Sequence, residues 1–250
     1  MNKLAAYYKE GFSKVEGWVQ PGALSALEAL NTCIPAEDNE CGVCEIGVHH
    51  GKFFLAMLAC AGSKASLAID IFEDQNLNLD RSGSGSIAQF ENNIAQFSPT
   101  YSNVSTMRAD SLGITMSQVV QVRNKFDGFK MFSVDGGHTR THALNDILLA
   151  QELISNGGIV AVDDFFHPEW PGVTEGVYQY YRSSNAKLAP ICLAGSKLFL
   201  CLLSNHEKYV DISSAILRET RPQSVLKTIN ICGHRAFSFR LHPNDPVLID

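Results

Sequence analysis

The sequence predicts an α/β fold: a doubly wound, mostly parallel sheet of seven strands, with helices leading into it at the N-terminus. Three observations carry that expectation. Short runs rich in Val, Ile and Phe recur along the chain, segments with helical spacing separate the first five of them, and acids or glycines stand where these runs stop. Strand and helix in alternation give a parallel sheet covered on both faces, and the ligands of such a sheet bind at the carboxyl ends of its strands.

Taken in order, the first ~35 residues read as two helices punctuated by Pro21 and Pro35. Residues 1–38 are expected to form a helical cover, either over the ligand or packed on the flank of the sheet. The strand runs then follow at 41–48 (CGVCEIGV), 65–72 (ASLAIDIF), 103–109 (NVSTMRA), 129–135 (FKMFSVD), 158–164 (GIVAVDD), 197–203 (KLFLCLL) and 236–241 (AFSFRL). KFFLAMLACAG, SIAQFENNIAQF and THALNDILLAQELI have helical spacing between them. The polar segment 73–86, with Gly83 and Gly85 near its end, reads as a mobile loop beside the site. No clear helix joins the last two runs, so they are expected to close the sheet as an antiparallel pair.

With 250 residues, 45% of them hydrophobic, the chain can bury one sizeable core, and a single domain over 1–250 is expected. The net charge of -6 offers no field for phosphate backbones, so a small molecule is expected as partner and nucleic acid is not. The start MNKLAAYYKEGF lacks the apolar centre of a signal peptide, and the run from Leu198 to Leu203 is too short to span a bilayer. A cytoplasmic protein without a membrane partner is expected, and a homo-oligomer remains open. Most of the seven cysteines lie in apolar runs, where a thiol packs as a small hydrophobe. Cys41-Gly-Val-Cys44 has redox or zinc spacing, yet no second pair completes a four-ligand zinc set, so both read as strand residues.

The acids form a pattern. Glu45, Asp70, Asp110, Asp135, Asp163 and Asp164 each fall at or near the carboxyl end of successive predicted strands. Helix capping explains one or two such acids but not six in order. In Glu45-Ile-Gly47-Val-His-His-Gly51 two glycines sit where strand turns to helix, which lets a ligand approach the backbone and the helix N-terminus. Asp70 closes the next strand, where a carboxylate can accept from both hydroxyls of a ribose, and Asp110 with Ser111 would border the base.

Here the sequence resembles the class I S-adenosylmethionine-dependent methyltransferases, a Rossmann-like fold whose first motif has this acid-x-Gly-x-x-x-Gly form; the resemblance covers roughly 40–203. The stretch VDGGHTRTHALNDILLAQELISNGGIVAVDDFFHPEWPGVTEGV is similar to a bacterial methyltransferase family with a D-G-x-H motif, a G-G-x-(V/I) strand, paired acids and a P-G-V turn. That family includes metal-dependent O-methyltransferases of macrolide and other antibiotic sugars. More distantly, the placement of Asp135, Asp163 and Asp164 is similar to the metal ligands of catechol O-methyltransferase, whose last ligand is an amide where this chain has an acid. His138 matches the family's general-base position.

The resemblance therefore implies S-adenosylmethionine bound by Glu45, Gly47, Gly51, Asp70, Asp110, Ser111 and Asp135, and a divalent cation, magnesium first, on Asp135, Asp163 and Asp164. Three clustered carboxylates repel one another without a cation, and hard cations favour oxygen ligands. A metal-bound hydroxyl loses its proton more readily, and a nearby histidine can receive it. The expected reaction is methyl transfer to a hydroxyl of a sugar or diol-like molecule, with His138 as base and His167 and Trp170 bordering the acceptor. His142, one turn along the helix, is expected only to pack. A nicotinamide-dependent oxidoreductase would share the early strand-glycine-helix-acid layout but gives no reason for acids at 135, 163 and 164. A catalytically idle S-adenosylmethionine-binding protein is the other alternative.

Overall fold

A computed structural model describes residues 2–62, 64–98 and 103–249. Its centre is a nine-stranded sheet in the order β3-β2-β1-β4-β5-β7-β6-β9-β8. The strands are β1 (Gly42–Ile46), β2 (Ser66–Asp70), β3 (Val104–Arg108), β4 (Phe129–Val134), β5 (Ile154–Val162), β6 (Leu188–Ala194), β7 (Lys197–Leu202), β8 (Val225–Ile231) and β9 (His234–Arg240). β1 to β5 pair only in parallel among themselves. The order reverses between β1 and β4, which opens a crevice at their carboxyl ends.

The fold class is as expected, but the strand count is nine rather than seven. β6 and β8 are the additions, and both lack a strand's usual sequence signature. β6 contains Pro190, which gives no ladder donor and sits at a shift of register against β7. β8 is an edge strand with mostly exposed side chains. The expected pairing of the last two runs is also corrected. β7 runs antiparallel between β5 and β6, while β9 pairs with β6 and β8. A long helix, His206–Thr220, lies between those two runs in sequence, and it buries His206, Tyr209, Val210, Ser213 and Leu217.

Helices α1 (Lys3–Glu10), α2 (Pro21–Asn31), α3 (Lys52–Ala59), α4 (Ile87–Phe97), α5 (Met116–Phe126), α6 (Arg140–Leu153), α7 (Pro171–Arg182) and α8 (His206–Thr220) cover the sheet. Their starts follow local chemistry. Ser86 caps α4 by accepting from the Gln89 amide, Thr115 and Gln118 form a reciprocal capping box on α5, Thr139 caps α6, and Pro171 opens α7. α1 packs against α3 and α2 against α8. The N-terminal helices thus lie on the flank, and the link between them borders the ligand crevice. The core divides into two clusters, one per face of the sheet: Phe54, Met131 and Phe199 lie in one, Phe132, Val160 and Leu200 in the other. All seven cysteines are free, with Cys41 and Cys44 buried. Among the described residues no helix is long and apolar enough to cross a membrane.

Candidate active site

A cavity of about 840 Å³ opens at the carboxyl ends of β1, β2, β4 and β5, and every predicted site residue except Gly51 lines it. Gly51 lies at the turn itself, as the left-handed start of α3 (φ 89°). Gly47 also has a left-handed backbone (φ 85°), and a Cβ there would lie 1.8 Å from the Asp135 carbonyl oxygen. Only glycine lets the tip of β1 pass so close to the tip of β4.

The cofactor half of the cavity fits S-adenosylmethionine. Glu45 is 2% exposed, and its Oε2 has no hydrogen-bond partner within the protein. Burial pushes its carboxyl up to about 7, against the opposing pull of Lys197 and Ser133. A buried acid with one oxygen left unpartnered suits the methionine ammonium. Asp70 accepts the His49 amide on Oδ2 at 2.8 Å and the Phe72 amide on Oδ1 at 2.6 Å, which fixes its carboxylate between the two turns. Burial still raises its pKa overall. Asp110 accepts the Leu112 amide at 3.0 Å and stands 3.5 Å from His142 Nε2, with Ser111 buried behind it. His142, expected only to pack, also lines the cavity beside this acid.

At the tips of β4 and β5 the acids do not stand as three equivalent carboxylates. Lys197, at the start of β7, places Nζ 2.6 Å from Asp163 Oδ2 and 3.3 Å from Asp135 Oδ2. It is 1% exposed, and its ammonium also lies over the Phe53 ring at 4.2 Å. Burial works against this charge, but Asp135, Asp163 and Glu45 outweigh it and raise the lysine pKa. Asp163 Oδ1 accepts from the Ser196 hydroxyl at 2.7 Å and the Asp164 amide at 2.9 Å. Despite burial, Lys197 and Ser196 hold the Asp163 carboxyl below its ordinary value. Asp135 goes the other way: withdrawal from water raises its pKa well up despite Lys197, with Asp163 and Glu45 adding to the rise.

Asp135, His138 and Asp164 each offer a ligand atom within 4.8 Å of the other two. This set fits a divalent cation that binds through two carboxylates and keeps waters. Asp163 adjoins it with three of its hydrogen bonds already made. His138 is held on three sides: Nε2 lies 3.0 Å from Asp164 Oδ2, Nδ1 lies 3.0 Å from Asp80 Oδ2, and the ring stacks on Trp170 at 4.4 Å and 21°. Burial opposes protonation, but the carboxylates of Asp164, Asp135 and Asp80 prevail and raise its pKa. His167 borders the same space and accepts the Glu169 amide at 3.3 Å.

Lys197 and Asp80 were not expected from the sequence. Lys197 leads an apolar run, which is a weak signal, and Asp80 sits in a polar loop with no periodicity to single it out.

Residues 44–165 match a family model described as a methyltransferase domain. No curated protein matches the sequence. Among solved structures, the O-methyltransferase NovP aligns with a TM-score of 0.55 at 14% identity, covering 73% of this chain and 78% of that one. The O-methyltransferase TomG from Streptomyces achromogenes, involved in tomaymycin synthesis and solved with SAM, gives 0.51 at 15% identity over 81% and 89%. An O-methyltransferase from Bacillus cereus in complex with SAH gives 0.50 at 11% identity over 79% and 87%. The family match runs from β1 past the tip of β5 and takes in the glycine turn and all six rim acids. Residues 44–165 thus match a methyltransferase domain, and the sheet around them has the fold of these solved O-methyltransferases.

Proposed function

We propose that the enzyme methylates a hydroxyl of a small sugar- or diol-like molecule, with His138 as general base and a divalent cation, magnesium in the first instance, at the rim of Asp135, Asp163 and Asp164. The observation that carries this reading is the juxtaposition of His138 with Asp135 and Asp164 beside the cofactor turn. All-oxygen carboxylates favour magnesium-like ions over thiophilic metals. S-adenosylmethionine bound there would supply a sulfonium methyl group, lost from sulfur as the acceptor oxygen bonds to it, and His138 Nε2 would take the hydroxyl proton. The cation would lower the pKa of the hydroxyl.

The protein's own residues bind and orient. Glu45 and the Gly47–Gly51 turn hold the amino-acid end of the cofactor, Asp70 the ribose, and Asp110 with Ser111 the base. Trp170 and His167 flank the acceptor. In the same reading the whole chain works as one cytoplasmic domain, with 1–38 as a cover, on a small molecule and not on nucleic acid. That the solved proteins sharing this fold include the O-methyltransferases NovP and TomG supports oxygen as the acceptor atom.

The test is a panel of hydroxylated acceptors with methyl-labelled cofactor. Label on an acceptor oxygen is expected, and exhaustive chelation should lower turnover at least about a hundredfold, restored by magnesium. Label on nitrogen or carbon, or binding without turnover on every acceptor, would overturn the proposal. Full turnover after chelation would overturn the cation requirement and leave Lys197 to balance Asp135 and Asp163.

Glu45 gives a pH dependence. Its free carboxyl is raised to about 7, so below that pH the site binds a proton that an incoming ammonium must expel. Cofactor affinity is therefore expected to fall as pH drops below about 7. Calorimetry at pH 6 in buffers of different ionisation enthalpy should show proton release, which Glu45→Gln abolishes.

A further inference from the structure

We propose that Asp80 is a positioning residue for His138, fixing the ring's tautomer and plane so that Nε2 carries the free lone pair. This rests on the reading of His138 as base. Asp80 belongs to the loop between β2 and α4, far from His138 in sequence, yet one of its oxygens serves that residue twice. Oδ2 accepts the His138 backbone amide at 2.6 Å and lies 3.0 Å from Nδ1. The other oxygen is anchored within the loop, accepting the Ser82 amide at 3.0 Å and the Ser82 hydroxyl at 2.5 Å. The side chains of His138 and Asp80 are only 11% and 12% exposed, so water competes little for these bonds.

An ionised carboxylate only accepts, so an imidazole nitrogen facing it donates. Both nitrogens face one, Nδ1 that of Asp80 and Nε2 that of Asp164, so the protonated ring donates on both sides. The neutral ring keeps the Nδ1 hydrogen, because Asp80 is shut in beside the residue whose amide it also binds, whereas Nε2 and Asp164 face the cavity, where the other proton can leave. The backbone bond sets where residue 138 lies, the Nδ1 bond sets the ring's rotation, and the Trp170 stack sets its plane. A bond from the backbone alone would serve the turn; the second, to the ring, serves the chemistry.

The loop that carries Asp80 is held as a unit. Asn78 Nδ2 donates to Gln75 Oε1 at 2.8 Å and to the Gly83 carbonyl at 3.0 Å, closing the loop on itself. Gly83 lies against His49 and Trp18, where a Cβ would meet their rings at 3.3 and 3.7 Å. One segment thus touches the cofactor turn at one end and the base at the other.

The experiment compares Asp80→Ala and Asp80→Asn with wild type in the full chain, alone and combined with His138→Ala. Expected are a fall in kcat of about a hundredfold or more, in line with loss of a base-orienting carboxylate, little change in acceptor KM, and unchanged cofactor affinity by calorimetry. Nitrogen NMR of labelled wild type should show neutral His138 protonated on Nδ1, and Asp80→Ala should shift it toward Nε2. In the His138→Ala background, Asp80→Ala should cost almost nothing further, because it acts through the ring. A wild-type signal on Nε2, or additive losses in the double variant, overturns the proposal even if the single variants fold poorly. If His138→Ala is slow and Asp80→Asn is as fast as wild type, Asp80 fails alone; if His138→Ala is itself as fast as wild type, the base reading fails first.

Discussion

His138→Ala is expected to lower kcat by about 10²- to 10⁴-fold while leaving cofactor affinity nearly unchanged, the range typical of general-base loss. The ring's partners are Asp80, Asp164 and Trp170, all outside the Glu45–Gly51 turn, so removing it should spare the proposed cofactor seat. The pH profile adds a second readout. Asp164, Asp135 and Asp80 raise the His138 pKa against the effect of burial, and a base works only once deprotonated. The rate should therefore climb with pH on a limb centred above the ordinary histidine value of about 6.5. Single-turnover assays with labelled cofactor across pH measure both. A variant as fast as wild type would remove His138 from the chemistry.

Lys197→Met should be the most destabilising single change at the site. The ammonium is 1% exposed and lies within 3.3 Å of two carboxylates. Truncating one partner of a buried pair leaves an uncompensated charge, which costs about 3–5 kcal/mol. The contribution of Asp163 to its pH dependence should also change sign. In wild type the depressed Asp163 pKa contributes stability above the unfolded carboxyl range, and this is lost as pH falls through the folded value. Without the ammonium, burial dominates and raises that pKa, so the variant should gain stability on acidification toward the unfolded value. Urea titrations at pH 5 and pH 8, with and without magnesium, check this. Rescue by magnesium would show that the rim accepts a cation in the lysine's stead, and a loss below 1 kcal/mol would mean that the acids take up protons at little cost.

The parallel half of the sheet was legible because β1, β2, β4 and β5 are buried, apolar and short, and each ends near an acid. Those acids mark the rim, so the cavity could be drawn before its walls. What stayed hidden depends on pairing between distant segments. Lys197 reaches Asp163 only because β7 lies antiparallel on β5, with Leu198 opposite Val162, and no local pattern announces that register. Asp80 depends on a loop folding back across the crevice. β6 was masked by Pro190, β8 by its exposed alternation, and α8 because His206 and Ser213 fill positions on its buried face where aliphatic residues would have shown the period.

On the proposed reading, the close approach of Gly47 to the Asp135 carbonyl ties the donor's seat to the acceptor's. Remodelling by evolution or by design would then fall on the segments around it: the link near Trp18 and the turn from His167 to Trp170. Acceptor scope could be rewritten there many times over while the path of the methyl group stayed the same length.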